Sequence, residues 1–263
     1  MRSQVRVLYR PMLVMGESLF EMRNTRYEIR DTNSFPLTRI QKLISERMLK
    51  SKLTKPCYYI GLNADTTELM ASRHELKKQL GVKITSNAFY IRALALAVKE
   101  FPLMVGFLDG DYIKTADAIN VGFAVSAPQG LVVPVVKEAD KKTLAEIATL
   151  EKILTDKARS NKLTLNEITG ETIGLSNLGV YGVDSFLGIV PPPATTILAV
   201  GNTLRMAVPL AVSLSNPKDG QVVIRKITDL TIAVDSRVVP EPYAAKFLAH
   251  LVKLLQEPKS LTS

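Results

Sequence analysis

The amino-acid sequence predicts an α+β fold: one domain over residues 34–263, preceded by an arm at residues 1–33. Three observations predict it. Segments with helical apolar spacing alternate with short apolar or alternating segments of strand length. No internal repeat and no low-complexity linker divides the chain, so a single α+β domain is the simplest account. The 263 residues, 46% hydrophobic and 22% charged, suffice for an ordinary soluble domain with a real core.

The arm opens with Arg2, Arg6 and Arg10. An organelle-targeting leader is Arg-rich and acid-poor, but Glu17 and Glu21 follow and Pro11 breaks any amphipathic helix. The arm therefore reads as a segment lying on the domain or on a neighbour.

The first helix spans 38–52, opened by a Thr38/Gln41 capping box, with Leu37, Ile40, Leu43, Ile44 and Met48 on one face and Pro56 as the stop. Tyr58 to Leu62 reads as a strand. A helix over 66–80 carries Leu69, Leu76 and Leu80 and ends at Gly81. Another runs from Asn87 to Glu100, with Ile91, Leu94, Ala95 and Val98 inward, and Phe101-Pro102 ends it. Strands follow around Ile113, over Ile119–Ser126 and over Leu131–Val136. A helix over 144–159 buries Leu144, Ile147, Ala148 and Leu154, and Lys157 and Arg159 suit its C-terminal dipole. Strands at Glu171–Ser176, Thr195–Gly201, Val222–Lys226 and Leu230–Ser236 precede a last helix after Pro242, with Phe247, Leu248, Leu251 and Leu255.

Composition narrows the function. Cys57 is the one cysteine, so neither a disulfide framework nor a cysteine metal site forms within the chain. His74 lies among charged residues and reads as solvent-facing; His250, between Leu248 and Leu251, reads as helix packing. Neither has metal-ligand spacing or a recognisable acid partner. The formal charge is +9, but no long basic run or interleaved aromatics suggest nucleic acid. No apolar run approaches the roughly 18 residues of a membrane helix. Gly179 and Gly182 lack phosphate-loop spacing, and Ser176 lacks the Gly-x-Ser-x-Gly elbow. The residues alone mark no catalytic set.

Several segments together resemble the catalytic core of the 2-oxo acid dehydrogenase dihydrolipoyl acyltransferases. They are Pro36 to Ile44, Pro56-Cys57-Tyr58-Tyr59 (where the family often has a histidine), Ile119 to Val125, Gly130 to Val136, Ala139 to Ala148, Ser176-Asn177-Leu178-Gly179 and Ile197 to Gly201. Their order and spacing carry the resemblance over residues 36–257. It implies a chloramphenicol-acetyltransferase-like two-layer sandwich that forms trimers, with each active site between subunits.

The family's signature, Asp-His-Arg-x-x-Asp-Gly, corresponds to Asp235-Ser236-Arg237-Val238-Val239-Pro240-Glu241. Ser236 stands at the histidine position, Pro240 at the aspartate and Glu241 at the glycine. Arg237 is retained, but with Pro240 in the aspartate's place it is left without an acidic partner. Ser176 matches the serine that hydrogen-bonds the oxyanion from the neighbouring subunit. In the family the histidine takes the proton from the thiol of coenzyme A or dihydrolipoamide; a serine hydroxyl has no such basicity.

The resemblance therefore implies an inactive structural homologue, or pseudoenzyme, in a 2-oxo acid dehydrogenase complex. Its partners are further copies of itself, an active acyltransferase paralogue, or other subunits, without nucleic acid or membrane. Two alternatives stand beside it: an acyltransferase with a non-standard base, and a module that binds coenzyme A. No cofactor other than coenzyme A is suggested, and the chain carries no lipoyl domain. The expected compartment is the cytoplasm, with the mitochondrial matrix as alternative. The polar tail, Gln256 to Ser263, replaces the family's apolar anchor, with Leu261 as a remnant of it.

Overall fold

The capping box read at Thr38 forms in the computed structural model of the chain, which describes residues 35–209 and 222–262. The expected arm at 1–33 lies outside the described residues. The chain divides into two units, Met1–Leu37 and Thr38–Ser263, and the second contains the fold described below. Thr38 Oγ1 accepts from the Gln41 amide at 3.2 Å, and Gln41 Oε1 accepts from the Thr38 amide at 2.9 Å. Together they open α1, Arg39–Thr54.

The strands are β1 (Cys57–Asp65), β2 (Gly106–Asp109), β3 (Tyr112–Thr115), β4 (Val121–Phe123), β5 (Val125–Ala127), β6 (Gly130–Val132), β7 (Val135–Val136), β8 (Ile173–Asn177), β9 (Thr196–Pro209) and β10 (Val222–Asp235). The helices after α1 are α2 (Thr67–Leu80), α3 (Ser86–Glu100), α4 (Leu144–Arg159) and α5 (Glu241–Gln256). Six strands form one mixed sheet in the order β1-β10-β9-β8-β4-β7. β8 runs parallel to both β4 and β9; the other pairs are antiparallel. The hairpins β2-β3 and β5-β6 stand apart from it.

Strand alternation divides the sheet into two faces. Tyr58, Ile60, Leu230, Ile232, Val234, Leu198, Val200, Ile173, Leu175, Val121 and Phe123 meet the helical layer in one core. α3 is its centre: ten of its fifteen residues are buried. Thr85 caps it, its hydroxyl accepting from the Ala88 amide at 3.0 Å. Phe101, just past α3, packs its ring edge-on to Tyr243 and Phe247 and within 5.7 Å of His250, so His250 packs as the sequence suggested. His74 is exposed, also as read.

The opposite sheet face carries a smaller apolar cluster: Val190, Ala194, Ile197 and Ala233, with Cys57 against them. α1 is tied to this side. Ser51 Oγ donates to the Val190 carbonyl at 2.5 Å, and Arg47 reaches Glu171 at 3.1 Å and the Pro192 carbonyl at 2.6 Å.

The structure revises three readings. The two strands read at 119–126 and 131–136 each break in two. Pro134 has no amide to donate, so it cannot continue a ladder; its carbonyl accepts from Phe123 at 3.0 Å, and Gly130 turns the β5-β6 hairpin at φ 122°. Conversely, Val222–Lys226 and Leu230–Ser236 join into β10, with a register shift between Thr228 and Leu230. On the predicted face of α1, Ile44 and Met48 are half-buried while Leu37 and Leu43 are exposed; Leu49 and Leu53, off that face, are 60% and 77% exposed. Finally, Leu261 is no free anchor. The chain turns after α5 through a short 3-10 segment, Pro258–Leu261, and Leu261 is fully buried in the chain's own core.

Glu151 on α4 is a buried carboxylate at the seam with α3, accepting from the Thr85 hydroxyl at 3.1 Å. Burial pushes its pKa up, more than the Thr85 bond and Arg159 pull it down. The native state thus holds the proton more tightly than the unfolded chain does. Stability is expected to fall as pH rises above the ordinary value of 4.5 and to level off once Glu151 ionises in the native state. Glu151→Gln keeps an acceptor for Thr85 and should flatten this fall, as urea titrations across pH would show.

Candidate functional site

The signature stretch forms the turn that joins β10 to α5. Asp235, the last residue of β10, is 2% exposed, and three bonds from Arg237 reach its carboxylate: the amide at 3.1 Å, Nε at 2.9 Å and Nη2 at 2.6 Å. Those bonds hold the guanidinium's proton more firmly, moving its pKa up. Arg237 therefore has an acidic partner, contrary to the expectation drawn from Pro240. Asp235 and Arg237 sit two residues apart at a strand end, close enough to form a forked pair.

Ser236 is exposed, yet its hydroxyl has a bond: Oγ donates to the Pro56 carbonyl at 2.7 Å, and the Ser236 amide donates to the same oxygen at 3.0 Å. The turn is thus clasped to the start of β1. Val238 and Val239 fold their amides back on the Asp235 carbonyl at 3.1 and 3.2 Å. Pro240 is the N-cap of α5, at φ −68° and ψ 145°. Its carbonyl accepts from Tyr243 and Ala244, so the missing amide costs no hydrogen bond at a helix start. Glu241 is the first helical residue, where a carboxylate suits the dipole. Tyr58 from β1 donates to the Val239 carbonyl at 3.0 Å, and burial, with Glu241 nearby, pushes its phenol up to about 12.

Ser176 lies elsewhere. It is in register with Ala199 on β9, which is in register with Thr231 on β10, five residues before Ser236. That places the two serines roughly 16 Å apart along the strands and about 10 Å across them. One chain does not bring them together. Ser176 is half-buried on the sheet face opposite the helices, and the segment after it is locked in place. Leu178 donates to Val200 at 3.1 Å and Asn202 donates to Val183 at 2.7 Å. A Cβ on Gly201 would lie 1.8 Å from the Asp184 carbonyl oxygen, and one on Gly179 would lie 2.3 Å from that of Gly201. Gly179 thus serves close packing of two backbones.

Beside the Ser236 turn, a cleft of about 260 Å³ is lined by Ser51, Lys52, Lys55, Pro56, Cys57, Tyr59 and residues 188–190. The sequence reading passed over Lys55. The available signal was alternation: Lys55, Cys57 and Tyr59 share one side of an extended segment. Among the described residues no group of His, Cys, Asp and Glu could hold a metal, and no helix is long and apolar enough to cross a membrane.

The chain matches the family described as 2-oxoacid dehydrogenases acyltransferase (catalytic domain) over residues 29–263 and belongs to it. It is 34% identical over 227 residues to the dihydrolipoyllysine-residue acetyltransferase component of the pyruvate dehydrogenase complex of Rickettsia bellii, covering 85% of this chain and 52% of that protein. It is 33% identical over 226 residues to the mouse mitochondrial pyruvate dehydrogenase protein X component, covering 86% and 44%. The chain thus spans about half the length of such relatives. In structure it is similar to the Azotobacter vinelandii dihydrolipoamide acetyltransferase, with a TM-score of 0.80, 28% identity and 96% and 99% of the two chains covered. A Listeria monocytogenes protein described as a probable dihydrolipoamide acetyltransferase gives 0.78 and 30%, covering 86% and 95%.

Proposed function

We propose that this chain is a non-catalytic structural subunit of the acyltransferase core of a 2-oxo acid dehydrogenase complex. The observation that carries the reading is the bond from Ser236 to Pro56. At the position where the family's base belongs stands a hydroxyl already engaged with a backbone carbonyl at 2.7 Å. A serine hydroxyl cannot take a thiol proton near neutral pH as an imidazole can. In the Azotobacter vinelandii enzyme a serine, a histidine and an asparagine, the last two four positions apart, have a role in the catalytic mechanism. That is the spacing of Ser236 and Pro240, and Pro240 offers neither a side-chain donor nor an acceptor. The relatives include proteins called acetyltransferase components and one called simply a component of pyruvate dehydrogenase.

The structural role rests on what the single chain leaves uncovered. Leu43, Leu49 and Leu53 on α1 and Leu204, Met206, Val222 and Ile224 on the β9-β10 ribbon are all at least 40% exposed. Apolar side chains left exposed in the single chain, here on both faces of the ribbon, are available for contacts with other chains. The partners are copies of this chain, arranged as trimers, or an acyltransferase with an intact signature. Light scattering on the purified protein at micromolar concentration should give a trimer or a multiple of one. A clean monomer that also fails to enter assemblies of a co-expressed intact relative would contradict the proposal.

A further inference from the structure

α1 supplies one wall of the cleft beside the Ser236 turn, and polar bonds hold it there. Arg47 and Ser51, four residues apart on one side of the helix, donate to the Pro192 and Val190 carbonyls at 2.6 and 2.5 Å. Lys55, at the C-cap, continues the row: its Nζ donates to the carbonyls of Ala194 and, at 3.4 Å, Pro193. Pro191, Pro192 and Pro193 have carbonyls but no N–H, so they can accept from α1 and cannot join a ladder of their own. Arg47 also pairs with Glu171 at 3.1 Å, and Lys52 donates to the Tyr59 hydroxyl at 3.1 Å. No described side chain of α1 belongs to either apolar cluster of the chain.

We infer that α1 is a strap that lifts off as a unit and gates this cleft, while the sheet and the other helices stay folded. The kind of attachment decides it. When the helix lifts, its donors and the freed carbonyls exchange each other for water, so each bond lost costs little. Apolar burial would pull the helix back, but neither cluster holds it. α3, with ten of its fifteen residues buried, has no such freedom. Once lifted, an isolated helix of 16 residues is marginal in water and unwinds. The hinge falls at Lys55-Pro56, because β1 starts at Cys57 and Ser236 clasps the Pro56 carbonyl.

The lining shows what lifting changes. Ser51 and Lys52 are the α1 wall of the cleft, and Cys57 and Tyr59 line it from β1. The bond from Lys52 to Tyr59 therefore joins the strap to the strand that stays behind. Without α1, a cleft of about 260 Å³ becomes open surface, and molecules too large for the closed cleft reach Cys57. Segments with few buried apolar contacts open in this way without global unfolding.

The test uses the full chain as purified, with hydrogen exchange followed by peptide mass spectrometry. In the unmodified protein the α1 amides from Leu43 to Leu53 should exchange together, about 100-fold or more faster than those of α3 from Phe89 to Val98. Arg47→Met combined with Glu171→Gln removes the ion pair without leaving a buried charge alone. That variant should speed α1 exchange by a further factor of about ten, the worth of one or two such bonds, and leave α3 unchanged. Cys57 is the reporter for the gate: its reaction with dithiobis(nitrobenzoate) should accelerate by the same factor. Exchange of α1 in step with α3 in the unmodified protein would overturn the inference, and this arm relies on no variant that must fold. So would faster α1 exchange with an unchanged Cys57 rate, since the helix would then move without gating the cleft.

Discussion

Gly201→Ala is expected to destabilise this protein more than any other single methyl addition considered above. The added Cβ would lie 1.8 Å from the Asp184 carbonyl oxygen and 2.8 Å from its carbon. Both are backbone atoms, so no flexible side chain can swing aside. Inserting a methyl into a tight core commonly costs about 1–3 kcal/mol, and an unyielding backbone clash belongs at or above the upper end. The Tm should therefore drop by about 6 °C or more, at roughly 2–4 °C per kcal/mol for a domain of this size. Gly182→Ala is the comparison: it has no atom within 4 Å, and its cost comes only from a φ of 76°. Calorimetry on both should show the larger drop at Gly201. The difference bears on the site, because the Gly179–Asp184 segment extends directly from Ser176 on β8.

On the proposed non-catalytic reading, rebuilding the signature is expected to raise acetyl transfer well above that of the unmodified chain. The triple change Ser236→His, Pro240→Asp and Glu241→Gly restores a base, its acidic helper and the glycine to the β10–α5 turn, which in the proposed trimer meets Ser176 of a neighbouring subunit. General-base catalysis contributes about 10²–10⁴-fold, and the triple variant should gain acetyl transfer to dihydrolipoamide in that range. Ser176→Ala added to it should then remove about 10²–10³-fold, the typical worth of one oxyanion donor. Ser236→His alone should gain little. It loses the hydroxyl bond to Pro56, and Asp235 remains bound on both oxygens by Arg237. A single variant as active as the triple one would mean that Pro240 and Glu241 are irrelevant to the loss.

Much of this was legible in the residues. Helix caps read cleanly because a side chain bonding three residues ahead is a local event; the box at Thr38 formed as written. The helical faces of α3, α4 and α5 read cleanly because their apolar stripes meet the same core. α1 differs in degree: on its predicted face Ile44 and Met48 are half-buried, while Leu37 and Leu43 stay exposed in the single chain. Periodicity reports that a face is apolar, and it does not report whose surface covers it. Leu261 misled in the opposite direction, since its place in the core depends on a turn after α5 that no pattern announces. At the site, the departures at Ser236, Pro240 and Glu241 follow from the resemblance alone, and the structure puts all three residues at the β10–α5 junction. The partner of Arg237 does not follow from the substituted position three residues ahead of it, because Asp235, two residues behind, supplies the carboxylate. Lys55 was missed because it falls between a helix end and a strand start, where neither period singles it out.

The most direct test of the central claim is a transfer assay on the unmodified protein, assembled as purified, with acetyl-coenzyme A and dihydrolipoamide. Acetyl-dihydrolipoamide is followed as product, so that stoichiometric acylation of the protein itself is not counted as turnover. The account predicts assembly into trimers or their multiples together with product formation at the uncatalysed rate. Sustained turnover at an enzyme-like rate, unaffected by Ser236→Ala, would contradict it and require another residue to take the thiol's proton.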